Sequence, residues 1–202
     1  MRKIVVLSFI SLDGVMQAPG GPDEDTSGDF QYGGWTVPFM DDFSGTMMGT
    51  QMSMPFDLLL GRKTYDIFAN YWPTQDPTVE PSVAFNKATK YVVSETKPEL
   101  TWEKSVLISG DVVRELKDLR QKDGPMLQVH GSGNLIQTLL TNDLVDELWL
   151  KIFPVTLGKG KKLFEHGTVP AAFELVDTKV TPSGVIFANY KRAGDIKTGS
   201  FV

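Results

Sequence analysis

The segment QVHGSGNLIQTLL, residues 128–140, joins the end of an apolar run to two glycines around a serine and then to an amphipathic stretch. Its Gly131-Ser132-Gly133 turn lacks the third glycine of a Rossmann G-x-G-x-x-G fingerprint and the Gly-Lys-Ser/Thr of a P-loop. In one interpretation, glycine permits a tight strand-to-helix turn and Ser132 caps the helix. In the other, small residues and free helix N–H groups form an anion site. Taken alone, the segment favours the tight turn, because glycine turns are common.

The same change from strand to helix recurs along most of the chain. Five short runs rich in Val, Leu and Ile have the character of strands covered on both faces: 4–10, 56–60, 91–94, 105–109 and 126–130. Helical patterns follow at 63–70, at 111–122, where Asp111 can cap the helix, and after the glycine turn. This alternation predicts an α/β fold with a mainly parallel sheet and helices on both faces.

The last third of the chain changes to antiparallel patterns. Residues 146–155 alternate with period two, and two further strands around TPSG at 181–184 predict a C-terminal hairpin. The strand at 146–155 has apolar residues on both faces yet is expected near the sheet edge, so it needs cover from a second copy or from the chain's own helices. One domain over 1–192 is expected, followed by a flexible tail at 193–202.

A glycine-rich acidic segment follows the first predicted strand. Residues 17–34 contain five glycines and look mobile. A position directly after a strand is where α/β proteins place ligand loops, whereas the alternative is a disordered insertion without a role.

Composition excludes several classes of function. The chain has no cysteine, so thiol catalysis, disulfides and cysteine-ligated metal sites are excluded. Its two histidines, His130 and His166, are far apart in sequence, and no metal site is expected. A net charge of −5 argues against nucleic-acid or anionic-membrane partners. Neither a signal peptide nor a membrane span is predicted, so a cytoplasmic protein is expected.

Small and polar residues follow several of the predicted strands, where ligands bind in open α/β sheets. SLDG at 11–14, GRKTYDIF at 61–68, Ser94 and the glycine turn are the examples. Arg62 and Lys63 stand at a helix start, where positive charge is unfavourable, so a bound anion would relieve the conflict. The alternative is that both side chains point to water.

The order of these motifs resembles a known family. SLDG, LLLGRKTYDIF with YWP, KYVVS, HGSGNLIQTLL and LVDELWLKIFPVTLGKGKKLF follow one another as in the dihydrofolate reductase-like family, of the type found in the RibD C-terminal reductase domain of riboflavin biosynthesis. The resemblance covers residues 2 to about 192. It implies a three-layer sandwich with a mixed, mostly parallel sheet that binds NADPH across its carboxyl edge. It also implies an NADPH-dependent reductase of a nitrogen heterocycle or its ribosyl derivative, acting without a fused deaminase domain, and a homodimer.

The resemblance further implies which residues meet the cofactor, in favour of an anion cradle at the glycine turn. They are Gly61, Arg62, Lys63, Thr64, Ser94, Gly131, Ser132, Gly133, Asn134 and Leu135. Glu95 is a departure from the family, because a carboxylate beside Ser94 would repel the 2′-phosphate, although Lys97 is close enough to compensate. The preference for NADPH over NADH therefore stays open.

Hydride transfer needs a proton donor, and Asp13 is the candidate, beside Gly14 where the resemblance puts the substrate. An Asx turn closing the first strand is the alternative use of Asp13. Asp41 or Asp42 could instead contact a pterin- or pyrimidine-like ring, and Asp42 is the residue we assign.

Ser11 and Trp72 complete the predicted substrate contacts, through SLDG and YWP. A cofactor-binding or regulatory protein without catalysis is the alternative function. The acidic loop favours that alternative, whereas SLDG and YWP favour an enzyme. Hydride consumption with candidate substrates would separate the two.

Overall fold

The computed structural model describes residues 1–165 and 168–201, so His166 lies outside the described residues. Eight strands are found there: β1 Ile4–Ser11, β2 Phe56–Gly61, β3 Lys90–Val93, β4 Ser105–Ile108, β5 Met126–His130, β6 Glu147–Phe153, β7 Phe173–Val180 and β8 Ile186–Arg192. They form a single sheet in the order β4-β3-β2-β5-β1-β6-β8-β7. The first six in that order are mutually parallel, and β8 is antiparallel to both β6 and β7.

The α-helices of the described chain are α1 Asp42–Met52, α2 Arg62–Tyr71, α3 Ser82–Lys87, α4 Val112–Gln121 and α5 Gly133–Thr141, with short 3-10 turns at 37–39 and 72–74. Asp111 caps α4 as predicted, because its carboxylate accepts a hydrogen bond from the N–H of Arg114 at 3.1 Å. None of these helices combines the length and apolar character that crossing a membrane requires.

Each face of the sheet is covered by a different set of helices. On one face, α4 and α5 close a core that is mostly aliphatic. Helix α5 shows why: Leu135, Ile136, Leu139 and Leu140 fall on one side and are each at most 7% exposed. Burial of such a side chain stabilises the fold by about 1.5–3 kcal/mol. The other face carries α1, α2 and α3 over aromatic and methionine side chains.

This architecture confirms the predicted three-layer α/β fold and its C-terminal hairpin. One expectation is wrong: the strand predicted near the edge, β6, is hydrogen-bonded on both sides, to β1 and β8. The edge strand at this end of the sheet is β7, where Leu175, Val176 and Val180 are between 49% and 65% exposed. The argument for a homodimer from β6 therefore fails, and the homodimer stays a prediction with β7 as the apolar edge to be covered.

The acidic segment 17–34 is packed, contrary to the expectation of a mobile loop. Phe30 is 4% exposed, and the indole N–H of Trp35 donates to the Gln17 carbonyl at 2.8 Å. The Gln17 amide in turn donates to the carbonyls of Asp25 and Ser27. A buried ring and a network of internal hydrogen bonds fix the segment despite its glycines.

Candidate active site

The strand-to-helix junctions after β2 and β5 touch each other at the carboxyl edge of the sheet. The N–H of Gly61 donates to the Ser132 hydroxyl at 2.8 Å. A Cβ on Gly61 would lie 3.0 Å from the Ser132 Cβ, so glycine is what allows this approach. Across the same contact, Thr64 Oγ1 lies beside Gly131, 3.9 Å from where a Cβ on that glycine would be. The starts of α2 and α5 are thus brought side by side.

Ser132 does not cap α5, which corrects the tight-turn interpretation. Its hydroxyl accepts from Gly61 instead, and no side chain caps either helix start. Gly131 and Ser132 have φ values of 72° and 67°, and the second costs about 1–2 kcal/mol for a residue with a Cβ. Nothing lies within 4 Å of a Cβ built on Gly133, so the first turn of α5 is open. Two uncapped helix starts around an open turn fit an anionic group such as a dinucleotide pyrophosphate.

The two cations at the start of α2 already have partners within the chain. Arg62 Nε lies 2.7 Å from each carboxylate oxygen of Asp66, one helical turn further on. Lys63 Nζ lies 2.6 Å from Asp25, which also binds Lys161 at 2.6 Å. These lysines hold the pKa of Asp25 well below its usual range, although burial opposes them. The charge conflict at the helix start is therefore relieved by carboxylates of the chain itself, without a bound anion.

Ser94 follows β3 at the same edge of the sheet. It is 6% exposed, its N–H donates to the Ile108 carbonyl, and its hydroxyl lies 3.2 Å from that of Thr96. Glu95 and Lys97 are both exposed beside it. One acidic and one basic side chain therefore lie exposed beside Ser94.

Asp13 is held by donors on three sides. Its carboxylate accepts from the Ser11 hydroxyl at 2.6 Å and from the N–H groups of Leu157 and Gly158 at 3.1 and 2.8 Å. The Ser11 hydroxyl, followed by these N–H groups, lowers the pKa of Asp13 to about 2 against the cost of desolvation. An ionised carboxylate is a poor proton donor at neutral pH. Because the single hydroxyl proton of Ser11 is donated to Asp13, Ser11 cannot donate a hydrogen bond to a substrate.

The other two predicted substrate contacts lie in the first turn of α1 and just beyond α2. Asp41 caps α1 by accepting from Ser44, which leaves Asp42 exposed in the first turn. Trp72 lies just beyond the far end of α2, about 15 Å from its start. Its ring packs against Phe85 at 4.9 Å, within the core under α2 and α3. Both assignments stay predictions that the cradle does not support.

The comparison with protein families is decisive for the chain as a whole. The RibD C-terminal domain model matches residues 2–187. The chain belongs to this family. Its RibD C-terminal fold is accordingly the dihydrofolate reductase-like fold that the motif order implies.

Known proteins of similar sequence or structure cover nearly all of this RibD C-terminal domain. The uncharacterized protein YyaP of Bacillus subtilis (strain 168) is 29% identical over 189 residues, 92% of each chain. A Shewanella sp. PV-4 structure, whose name connects it provisionally with riboflavin biosynthesis, has a TM-score of 0.65 at 23% identity, covering 95% of this chain and 99% of its own. Dihydrofolate reductase from Enterococcus faecalis, complexed with NADP(H) and RAB-propyl, has a TM-score of 0.58 at 16% identity, covering 94% and 96%.

Two polar residues that were not predicted as site residues, His130 and Lys151, lie on the face of the sheet that α1 covers. His130 ends β5; its ring packs 5.0 Å from Phe85, and its Nε2 lies 2.9 Å from Gln128 Oε1. Burial, followed by the charge of Lys151, lowers the pKa of His130 to about 3. The ring is therefore neutral and packed, the use that a strand-end histidine most often has.

Lys151 on β6, on the same face of the sheet, is a buried titratable residue that sequence reasoning missed. It is 4% exposed, and burial lowers its pKa to about 7. The available signal was a single lysine inside an otherwise apolar strand that alternates with period two. Within 1–165 and 168–201, no group of three or more His, Asp or Glu side chains is placed to hold a metal ion.

Proposed function

We propose that this protein is an NADPH-dependent reductase that transfers a hydride to a nitrogen heterocycle or its ribosyl derivative. The observation that carries the proposal is the contact between Gly61 and Ser132, which places two uncapped helix starts side by side around an open glycine turn. Membership of the RibD C-terminal domain family and a fold shared with an NADP(H)-bound dihydrofolate reductase support it.

The chain's own residues would hold the cofactor by its phosphates. The N–H groups of Gly133, Asn134 and Leu135 at the start of α5 would donate to the pyrophosphate, together with those at the start of α2. Ser94, at the end of β3, would lie near the adenosine ribose. When bound, the reduced nicotinamide supplies the hydride, and the protein orients it against the substrate and provides the proton.

Asp13 has a different role in this proposal from the one the sequence favours. With its pKa at about 2, its ionised carboxylate ties the turn after β1 to residues 157–158 and so fixes the loop at this edge of the sheet. A cytoplasmic location and a homodimer remain part of the proposal as expectations from sequence.

Nucleotide titration tests the proposal. Binding of NADPH and, separately, NADH would be followed by quenching of the four tryptophans and energy transfer to the nicotinamide. We expect saturable binding of NADPH, tighter than that of NADH. If neither nucleotide binds, the reductase proposal fails. Binding without consumption of NADPH by any heterocycle would favour the non-catalytic alternative.

Asn134→Asp is the variant that tests the cradle itself. Asn134 is exposed in the first turn of α5, where a carboxylate stabilises the helix but repels a phosphate. We expect unchanged or raised stability together with about tenfold weaker NADPH binding, on the order of 1.4 kcal/mol. Asn70→Asp makes the same change at the exposed far end of α2 and should leave NADPH binding within twofold.

A further inference from the structure

Lys151 has a buried side chain whose amine lacks a hydrogen-bonding partner among the described residues. The residue as a whole is 4% exposed, but its Nζ is not one of the fully buried unpaired atoms of the described chain and so keeps some contact with solvent. Two aromatic rings lie beside it: Nζ is 5.8 Å from the ring centre of Phe9 and 5.9 Å from that of Phe187. Buried ammonium groups are normally paired, because desolvation without compensation is costly.

Lys90 shows what a structural buried lysine looks like in the same sheet. It is 0% exposed, but its Nζ donates to the carbonyls of Asn86 and Glu103 at 2.8 and 3.2 Å. The amine also lies 4.3 Å from the ring centre of Trp102. Burial in this protein therefore does not prevent a lysine from being satisfied, and the isolation of Lys151 requires a different explanation.

Lys151 lies near the carboxyl edge of the sheet, where the cradle is formed. It is directly opposite Phe9 on β1, two residues before Ser11, where the strand turns at the carboxyl edge. Strand β5, which runs into the glycine turn, is the next strand beyond β1, so His130 is two strand spacings away, about 10 Å. The amine thus lies on the α1 face, between β8 and the strand that carries SLDG.

The reduction needs a proton at neutral pH, and neither Asp13 nor His130 is a good source of it. Asp13 is ionised, because its pKa is lowered to about 2. His130 is neutral, because its pKa is lowered to about 3, and its Nε2 is engaged by Gln128. Lys151, with a pKa lowered to about 7, can both hold and release a proton in this range.

We propose that Lys151 contacts the substrate and is the proton donor of the reaction. This rests on the proposed reductase function. The hydride brings two electrons from the reduced nicotinamide to the carbon of a C=N or C=O bond, and the π pair moves to the heteroatom. The heteroatom takes a proton from the Lys151 ammonium, the neutral amine is reprotonated from water, and the nicotinamide leaves oxidised.

The surroundings of Lys151 contain few charges that could replace it. On β1 and β8 it faces Phe9 and Phe187, and the methionines of α1 pack into the same cluster. From β5 it faces His130, whose pKa its charge lowers. On its own strand the nearest acid is Glu147, four residues earlier, which is occupied by Lys3 and by the indole of Trp149.

The test compares Lys151→Met with Lys90→Met as the matched buried-lysine control. NADPH consumption is measured against dihydrofolate and against 5-amino-6-(5-phosphoribosylamino)uracil between pH 5.5 and 9, as an experimental range around the pKa of about 7. For the wild type, we expect kcat to fall as the pH rises above about 7. Lys151→Met should lose at least about 100-fold in kcat together with that pH dependence, while NADPH binding stays within twofold. Lys90→Met should keep the wild-type pH profile.

A readout without turnover accompanies the kinetics. In protein labelled with ¹³Cε-lysine, one resonance absent from Lys151→Met should titrate near pH 7. Titration of that resonance above pH 9 would overturn the assignment, since the amine would not release its proton at neutral pH. So would an active wild type whose Lys151→Met variant keeps kcat within threefold. If the wild type binds NADPH but reduces neither substrate, the proposed function itself fails, and the role of Lys151 fails with it.

Discussion

Substitution of Gly61 by alanine tests whether the contact between the two helix starts is as close as the structure shows. Gly61 has φ −74° and ψ 157°, which alanine adopts freely, so its backbone conformation does not destabilise the variant. The new Cβ would lie 3.0 Å from Ser132 Cβ and 3.1 Å from its Oγ, closer than ordinary van der Waals contact. Overpacking of this kind lowers the free energy of unfolding by about 1–3 kcal/mol. Alanine also restricts the unfolded chain more than glycine does, which offsets about 0.4–1 kcal/mol of that loss.

Ser132→Gly is the partner substitution that removes the steric conflict. It loses the hydroxyl that accepts from Gly61, worth about 1 kcal/mol, but relieves a φ of 67° that costs a residue with a Cβ about 1–2 kcal/mol. We therefore expect Ser132→Gly to be nearly neutral. In its background, Gly61→Ala should be neutral or stabilising, which gives a coupling energy of about 1–3 kcal/mol.

Urea unfolding of the wild type, both single variants and the double variant measures this coupling. The NADPH dissociation constant of each folded protein is measured in parallel, and Gly61→Ala should weaken binding by separating the starts of α2 and α5. The reasoning is refuted if the two stability changes add to within about 0.5 kcal/mol, because residues in contact should not behave independently.

Three further predictions concern single side chains. Asp13→Asn should lower the free energy of unfolding in urea at pH 7 by only about 1 kcal/mol, because solvent screens this partly exposed carboxylate. The wild type keeps this contribution above about pH 4 and loses it as the pH falls through about 2. Equal stabilities of the two proteins at pH 7 would contradict the prediction. Trp72→Phe should change the free energy of unfolding by less than about 1 kcal/mol, because it removes a buried indole N–H that has no hydrogen-bonding partner. Trp102→Phe should cost about 1–3 kcal/mol, because the indole N–H of Trp102 donates to the side-chain oxygen of Asn86 at 2.8 Å. Asp25→Asn frees Lys63 from its ion pair and should speed limited proteolysis within 17–34; an unchanged cleavage rate would show that the pair does not hold the loop.

The fold is predictable from sequence where local patterns decide it. The strand at 126–130 and the helix that follows its glycines are found where the pattern puts them, as is the capped helix after Asp111. Pairing between distant strands is different. Nothing in residues 146–155 shows that β8 returns to cover their open side, because that contact depends on the hairpin folding back and not on the strand's own composition.

The site shows the same division between local and long-range information. That the chain turns from strand to helix at Gly61 and Gly131 is predictable from their places after apolar runs. That Ser132 bonds to Gly61, or that Asp25 pairs with Lys63, is not, since each joins segments far apart in sequence. A charged residue chosen as a ligand contact from its place in a motif can be satisfied by a partner that only the tertiary fold supplies.

Lys151 illustrates the converse case. On a strand with one solvated face, a lysine between Trp149 and Phe153 would point to water and need no explanation. Here both faces of β6 are covered by helices and both edges are paired, so the same side chain is buried and its pKa falls to about 7. An unpaired buried lysine lowers stability, and core hydrophobic residues of similar size would remove that cost. The property that makes Lys151 a burden on the fold, an amine that readily loses its proton, is the property that the proposed reduction requires.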